Sequence, residues 1–221
     1  MAGLVSIIFT ITIKPMSSIK SYQFVNEETG EIQSRFKYLE GRPKQYRFNG
    51  QNGQFNINGE KILSDDKGKP VKSFTITPMA WRVFEENLFG RGRKDLWAEL
   101  FFVDDRNCVS SIMLNNTSLQ ELLSLESELF YEDISLSEIK LMMAAENITS
   151  EKSGQKLSWY ITRLTWETAP KNEVQALSEF ATDNRVYRED TMTGTAVYRF
   201  KSPNFYVPEV KEVALLEAET E

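Results

Sequence analysis

The stretch "LWAELFFVDDRNCVSSIML", residues 96–114, constrains the fold more than any other. Two apolar runs flank Asp104–Asn107, and Asp and Asn side chains bond their own backbone in tight turns, so the segment reads as a β-hairpin. Strand signals surround it. Residues 22–62 read as a meander of short strands, punctuated by Gly30, by "GRP" at 41–43 and by Asn49-Gly50, Asn52-Gly53 and Asn58-Gly59. Asn-Gly pairs supply the positive φ that hairpin turns require. "SFTIT" (73–77) is a further strand, preceded by the polar loop "SDDKGKP" (64–70).

Helical signals are fewer. Thr77 and Pro78 read as the cap and first position of a helix over 78–89, with Trp81, Phe84 and Leu88 on its apolar face and Gly90 as its stop. Ser118 with Glu121 three residues on predicts a capping box and a helix over 118–130, whose Leu119, Leu122, Leu123 and Leu129 face the core. "NEVQALSEFA" after Pro170 reads as a short helix. "IKLMMAAENI" (139–148) has helical composition and a cap signal at Ser135-x-x-Glu138. It precedes the "SEKSGQK" turn and the strand "LSWYITRLTWE" (157–167), however, and we read it as a strand. "RVYREDTMTGTAVYRFK" (185–201) reads as a late hairpin turning near Thr191–Gly194.

The expected chain is mainly β (β+α) with two or three short helices. It divides into an N-terminal extension (1–15), a β-meander (16–68), a core domain (69–208) and an acidic C-terminal tail (209–221). The extension, "MAGLVSIIFTITIKP", alternates like a strand, is too short to span a bilayer as a helix, and lacks the leading cations of a signal peptide. "MSSIKSYQF" at Met16 offers an alternative start.

Composition restricts the chemistry. There is no histidine, and Cys108 is the one cysteine. This removes Ser-His-Asp and Cys-His catalysis, histidine metal ligands, multi-cysteine zinc sites and any intramolecular disulfide, and it fits a reducing, cytoplasmic setting. A metal could be held only by carboxylates, and we expect neither metal nor cofactor. "GRGRK" (90–94) lacks the further glycines and the strand–helix setting of a phosphate loop.

Against a net charge of −6, "RFKYLEGRPKQYRF" (35–48) concentrates five cations beside four aromatics. If 35–39 and 44–48 are strands, rings fall on one face and cations on the other. Exposed rings stack on nucleic-acid bases while nearby cations reach phosphates; sealed rings with a wet cationic face are the plainer alternative. The pattern recurs at Arg91, Arg93, Lys94 and Trp97, along 157–167, and in the late hairpin. The phosphate-binding candidates are Arg35, Lys37, Arg42, Lys44, Arg47, Arg93, Lys94 and Arg163. The stacking candidates are Tyr38, Tyr46, Phe48, Trp97, Trp159 and Tyr160.

A strand at 73–77, the 96–114 hairpin, a helix and a final strand pair give five strands with a helix between the third and fourth. That is the order of the oligonucleotide-binding (OB) barrel; the helix at 78–89 departs from it. The last thirteen residues, "EVKEVALLEAETE", carry a charge of −4. Barrel and tail together resemble the single-stranded-DNA-binding proteins of phages and plasmids, over residues 70–221. The resemblance implies a five-stranded barrel that holds single-stranded nucleic acid in a basic groove. It also implies an acidic tail contacting replication proteins, and a role in replication, recombination or repair in the cytoplasm of a prokaryotic or phage-infected cell. The terminal aromatic common in that family is absent here.

The expectation is therefore a non-catalytic single-stranded-DNA-binding protein of little sequence preference, able to self-associate and without a membrane partner. A virion-type structural protein is the alternative. A third reading, a magnesium-dependent nuclease, rests on Asp104 or Asp105 with Glu138 and Lys140, although the two aspartates also suit a turn.

Overall fold

The computed structural model describes residues 19–152 and 154–208, so the expectations for residues 1–15 and for the acidic tail lie outside the described residues. Its strands, in chain order, are β1 (Gln23–Val25), β2 (Ile32–Ser34), β3 (Lys44–Asn49), β4 (Gln54–Ile57), β5 (Lys61–Ile62), β6 (Ser73–Ile76), β7 (Ala80–Glu86), β8 (Asp95–Val103), β9 (Val109–Asn115), β10 (Ile139–Lys152), β11 (Gln155–Thr168) and β12 (Val197–Lys201). The helices are α1 (Asn116–Tyr131) and α2 (Lys171–Asp183).

A seven-stranded sheet runs β12-β7-β8-β9-β3-β4-β5, a three-stranded sheet runs β11-β10-β6, and β1 pairs with β2. Neighbours are antiparallel except β3, which lies parallel to β9. The chain is mainly β, but its described strands form open sheets and do not close into a five-stranded barrel.

The 96–114 hairpin forms as expected, in register from Trp97↔Asn115 to Val103↔Val109. Its turn is built by Asp104, whose carboxylate accepts the N–H groups of Arg106 and Cys108. Asn107 takes the left-handed conformation (φ 58°) that Asn tolerates. Alternation then sorts the strand faces. Ala98, Leu100 and Phe102 join a core with Ile112, Leu114, the α1 leucines, and Ile139, Leu141 and Met143 of β10. On the other face Phe101 packs with Leu177 and Phe180 of α2 and with Phe205.

Several expectations are corrected. Residues 80–86 are a strand, not part of a helix over 78–89. Ala80, Arg82, Phe84 and Glu86 lie on one face of β7, which pairs along its whole length with β8. Pro78 has no N–H to give a ladder, and the chain changes sheets around it: β6 pairs with β10, and β7 with β8. Ser118 caps nothing; α1 starts at Asn116 without a side-chain cap bond, and the buried Ser118 hydroxyl accepts the Thr162 N–H at 3.0 Å. The Ser135–Glu138 capping box does form, around a single 3-10 turn, and 139–152 follows as a strand. The late hairpin is absent: residues 189–191 are a 3-10 turn, and β12 pairs with β7 instead. Residues 35–39 make only the isolated Lys37↔Cys108 bridge. Cys108 is half-buried beside the hairpin turn.

Arg82 and Glu99, both fully buried on facing positions of β7 and β8, form an ion pair inside the core. The Arg82 guanidinium donates two bonds to one Glu99 oxygen, at 2.9 and 2.7 Å. No helix among the described residues is long and apolar enough to cross a membrane.

Removing one partner of such a pair strands a buried charge. Arg82→Met is expected to lower stability by about 3–5 kcal/mol, and Arg82→Met/Glu99→Met by clearly less than Arg82→Met alone. Urea unfolding midpoints of the three proteins check this.

Candidate nucleic-acid interface

The fourteen residues expected to bind nucleic acid separate into groups. Four of the cations are held by carboxylates: Arg42 by Glu189, Lys44 by Asp104, Arg93 by Asp95, and Arg163 by both Glu146 and Glu121. The two carboxylates raise the Arg163 pKa, the hydrogen bond to Glu146 being the largest single cause. Lys94 reaches the Thr195 carbonyl, Arg35 donates to the Gln23 carbonyl, and Lys37 is exposed on the Cys108 bridge. Arg47 is exposed and donates to the Gln45 side chain.

Two of the rings, Tyr46 and Trp97, are sealed, and a third, Tyr38, is half-buried. Tyr46 is 6% exposed and stacks on Phe74; Trp97 is 4% exposed and donates its indole N–H to the Glu86 carbonyl. The Tyr38 hydroxyl donates to the Arg185 carbonyl while its ring meets Phe180 edge-on. Burial is the main reason the Tyr46 phenol is pushed up to about 12. Burial leaves Tyr46 and Trp97 no open ring face for a base, which corrects the sequence expectation for those two. The plainer alternative holds for Tyr46, but Lys44 lies on the same side as that ring, 5.0 Å from its centre, and is itself half-buried.

Phe48, Trp159 and Tyr160 behave differently. Each is half-buried, and they meet although more than a hundred residues separate Phe48 from the other two. The Tyr160 N–H donates to the Gly50 carbonyl (2.7 Å), docking β11 onto the β3–β4 turn. Gly53 makes this approach possible: its φ is 69°, and a Cβ there would stand 2.4 Å from the Tyr160 ring. The resulting pocket of about 380 Å³ is lined by Phe48, Gly50, Trp159 and Tyr160 on one side and by 115–118 on the other. No acidic residue occupies the first turn of α1 and no side chain caps it, so the positive end of the helix borders the pocket.

A second pocket, about 300 Å³, adjoins the first and shares Phe48 and Asn115 with it. Its walls are Arg47, Phe89, Arg91, Met113 and the edge of Trp97. Phe89 is 56% exposed and meets Trp97 edge-on; the Arg91 guanidinium lies 4.6 Å from the Trp97 ring centre. The two pockets make a trough from the 87–94 loop to β11, with the guanidinium groups of Arg47 and Arg91 in the second pocket, Trp159 and Tyr160 in the first, and Phe48 shared between them. Phe89 and Arg91 were missed as site residues. Their signal was the "FGRGRK" run, which the supposed helix over 78–89 had cut in two.

Glu86 holds the loop from beneath. Its carboxylate accepts from the Thr193 and Thr195 hydroxyls and from the Asn87 N–H. The Thr193 bond is the main cause of a pKa below the ordinary carboxylate range, outweighing burial. Three residues of the nuclease reading have other partners: Asp104 accepts from Lys44, Tyr46 and the turn, Glu138 from the Ser135 N–H, and Lys140 pairs with Glu173, while Asp105 is exposed at the hairpin turn. Among the described residues no three acidic or cysteine side chains cluster to hold a metal. Comparison with protein-family models, curated proteins and solved structures finds no match.

Because the Glu86 pKa is depressed in the fold, its stabilising share is present above the unfolded value of about 4.3. That share is lost as pH falls through the folded pKa. Glu86→Gln is expected to melt lower than the parent at pH 6 and to lose less stability between pH 5 and pH 3, measured by thermal denaturation at stepped pH.

Proposed function

We propose that this chain binds single-stranded nucleic acid, DNA in the first instance, with little sequence preference, along the trough between the 87–94 loop and β11. The observation that carries this reading is the adjacency of Phe48, Phe89, Trp159 and Tyr160 to Arg47 and Arg91 in two pockets with shared walls. Half-exposed rings accept bases of any sequence, and the guanidinium groups beside them reach the phosphates between. Arg91 and Arg93 share Asp95 as a partner, at 3.2 and 3.0 Å, so the three charges leave the loop net positive, and Lys94 adds a further cation.

The strand order supports the same reading. With residues 80–86 a strand, β6 and β7 become one strand bent at Pro78, pairing first with β10 and then with β8. The series is then bent strand, β8, β9, α1, β10, β11, which is the OB order. In an OB domain the face of strands 2–3 and the loops after strands 1 and 4 hold nucleic acid. The 87–94 loop and the β10–β11 turn take those loop positions here. We read the fold as an opened OB domain, in which the β3–β4 hairpin occupies the place beside β9 where the last strand would close the barrel.

A second reading has its own observation. Phe130 and Tyr131, at the end of α1, are 71% and 83% exposed with ring centres 5.6 Å apart, as suits a protein that packs against copies of itself. Size-exclusion chromatography with and without oligonucleotide separates the two: large assemblies indifferent to nucleic acid favour self-assembly.

The test is fluorescence polarisation with labelled oligo-dT at several salt concentrations. Affinity is expected to fall steeply with salt. Phe48→Ala and Tyr160→Ala should each weaken binding about 5- to 150-fold, the effect of losing one stacked base. Arg47→Ala should reduce the salt slope by about 0.7. Tyr22→Phe, at a buried ring that lines neither pocket, should bind like the parent. No detectable binding at low salt overturns the reading.

A further inference from the structure

A further cleft is larger than either pocket of the trough. It has a volume of about 580 Å³ and opens between β6 on one side and the end of β4 with β5 on the other. This volume lies within the roughly 300–1,000 Å³ typical of binding sites. Aromatic rings form its floor: Phe74 stacks on Tyr46 at 5.6 Å and meets Phe102 at 6.2 Å. Leu63 and Val103 add apolar walls.

One wall is an unused sheet edge. Among the described residues β6 pairs only with β10 and has no strand on its other side. The Ala145 N–H bonds the Lys72 carbonyl. Antiparallel ladders alternate, so in the Leu141↔Ile76 to Ala144↔Ser73 register Phe74 and Ile76 spend their backbone groups on β10. The N–H and C=O groups of Ser73 and Thr75 therefore point away from β10, and both residues are exposed at the cleft. A free edge of this kind is a template for an added strand.

Charge selects the strand. Lys44 is satisfied by Asp104; burial opposes its charge, but bonds to Asp104 and Tyr46 outweigh that and raise its pKa. Lys61 and Arg106, also lining the cleft, are exposed and have no carboxylate partner among the described residues. Asp105 is the one acid of the lining left to oppose them.

From these observations we infer that the cleft is a docking groove for an extended acidic peptide, which joins β6 as an added strand. Its backbone bonds Ser73 and Thr75, its alternate apolar side chains lie over Phe74, Leu63 and Val103, and its carboxylates meet Lys61 and Arg106. The inference is independent of the nucleic-acid reading.

The probe is a fluorescein-labelled octapeptide of alternating Glu and Val, titrated with the full chain and followed by polarisation. The Glu-Val probe is expected to bind at least tenfold more tightly than a Lys-Val counterpart. Thr75→Pro removes only an outward N–H, a place where an edge strand tolerates proline, and should abolish binding. Lys61→Glu/Arg106→Glu, at two exposed positions, should weaken binding at least tenfold without lowering the melting temperature, so the test stands even if Thr75→Pro unfolds. Absence of binding at millimolar protein overturns the proposal. So does equal affinity for the two probes, or unchanged affinity in the Lys61→Glu/Arg106→Glu protein.

Discussion

The rest of the structure depends on a buried charge that must be completely satisfied. Arg82 has no exposed surface, and a guanidinium taken out of water is tolerated only when every donor finds an acceptor. Glu99 takes two of its bonds; the Thr191 carbonyl and hydroxyl take two more at 3.0 and 2.6 Å, and the Tyr198 hydroxyl lies at 3.2 Å. The Phe84 ring covers the guanidinium at 3.9 Å. Arg188, also buried, approaches Glu99 at 3.9 Å and is itself balanced by Asp190. These contacts join β7 and β8 to the 188–191 turn and to β12, segments about a hundred residues apart in the chain.

That network also determines where a ligand can approach. Drawing residues 188–191 onto the outer face of β7 and β8 covers the middle of the sheet there. Beyond the covered part, the Trp97 and Met113 end of that face opens into the trough. Glu86 extends the clamp, since the same carboxylate that receives Thr193 and Thr195 underlies the loop bearing Phe89 and Arg91. The stability of the sheet and the shape of the candidate interface thus share one set of buried polar contacts.

Local chemistry made part of this legible. The turn at Asp104–Asn107 needs nothing beyond its own side chains and backbone, and the hairpin follows from it. The turn at Asn58 and Gly59, with φ of 56° and 81°, was equally plain. The helix expected over 78–89 was misread because Trp81, Phe84 and Leu88 suit a helical period as well as Thr77-Pro78 suits a cap. The alternation of Ala80, Arg82, Phe84 and Glu86 was hidden by the two charged residues, whose burial only Glu99, Thr191 and Thr193 explain. The rings of 35–48 pose the same problem: cation and ring are neighbours in sequence whether the ring lies against Phe74 or in water.

From the sequence by itself came the mainly β character, the places of the tight turns, and the exclusion of histidine and multi-cysteine chemistry. These depend mostly on residue type and near neighbours. Which rings are sealed, which cations are already paired, and where a bent strand passes from one sheet to the next were decided only by tertiary structure. The reason is physical: burial and ion pairing belong to pairs of residues, and here the deciding partners, Gly53 with Tyr160 and Arg82 with Thr191, lie about a hundred positions apart.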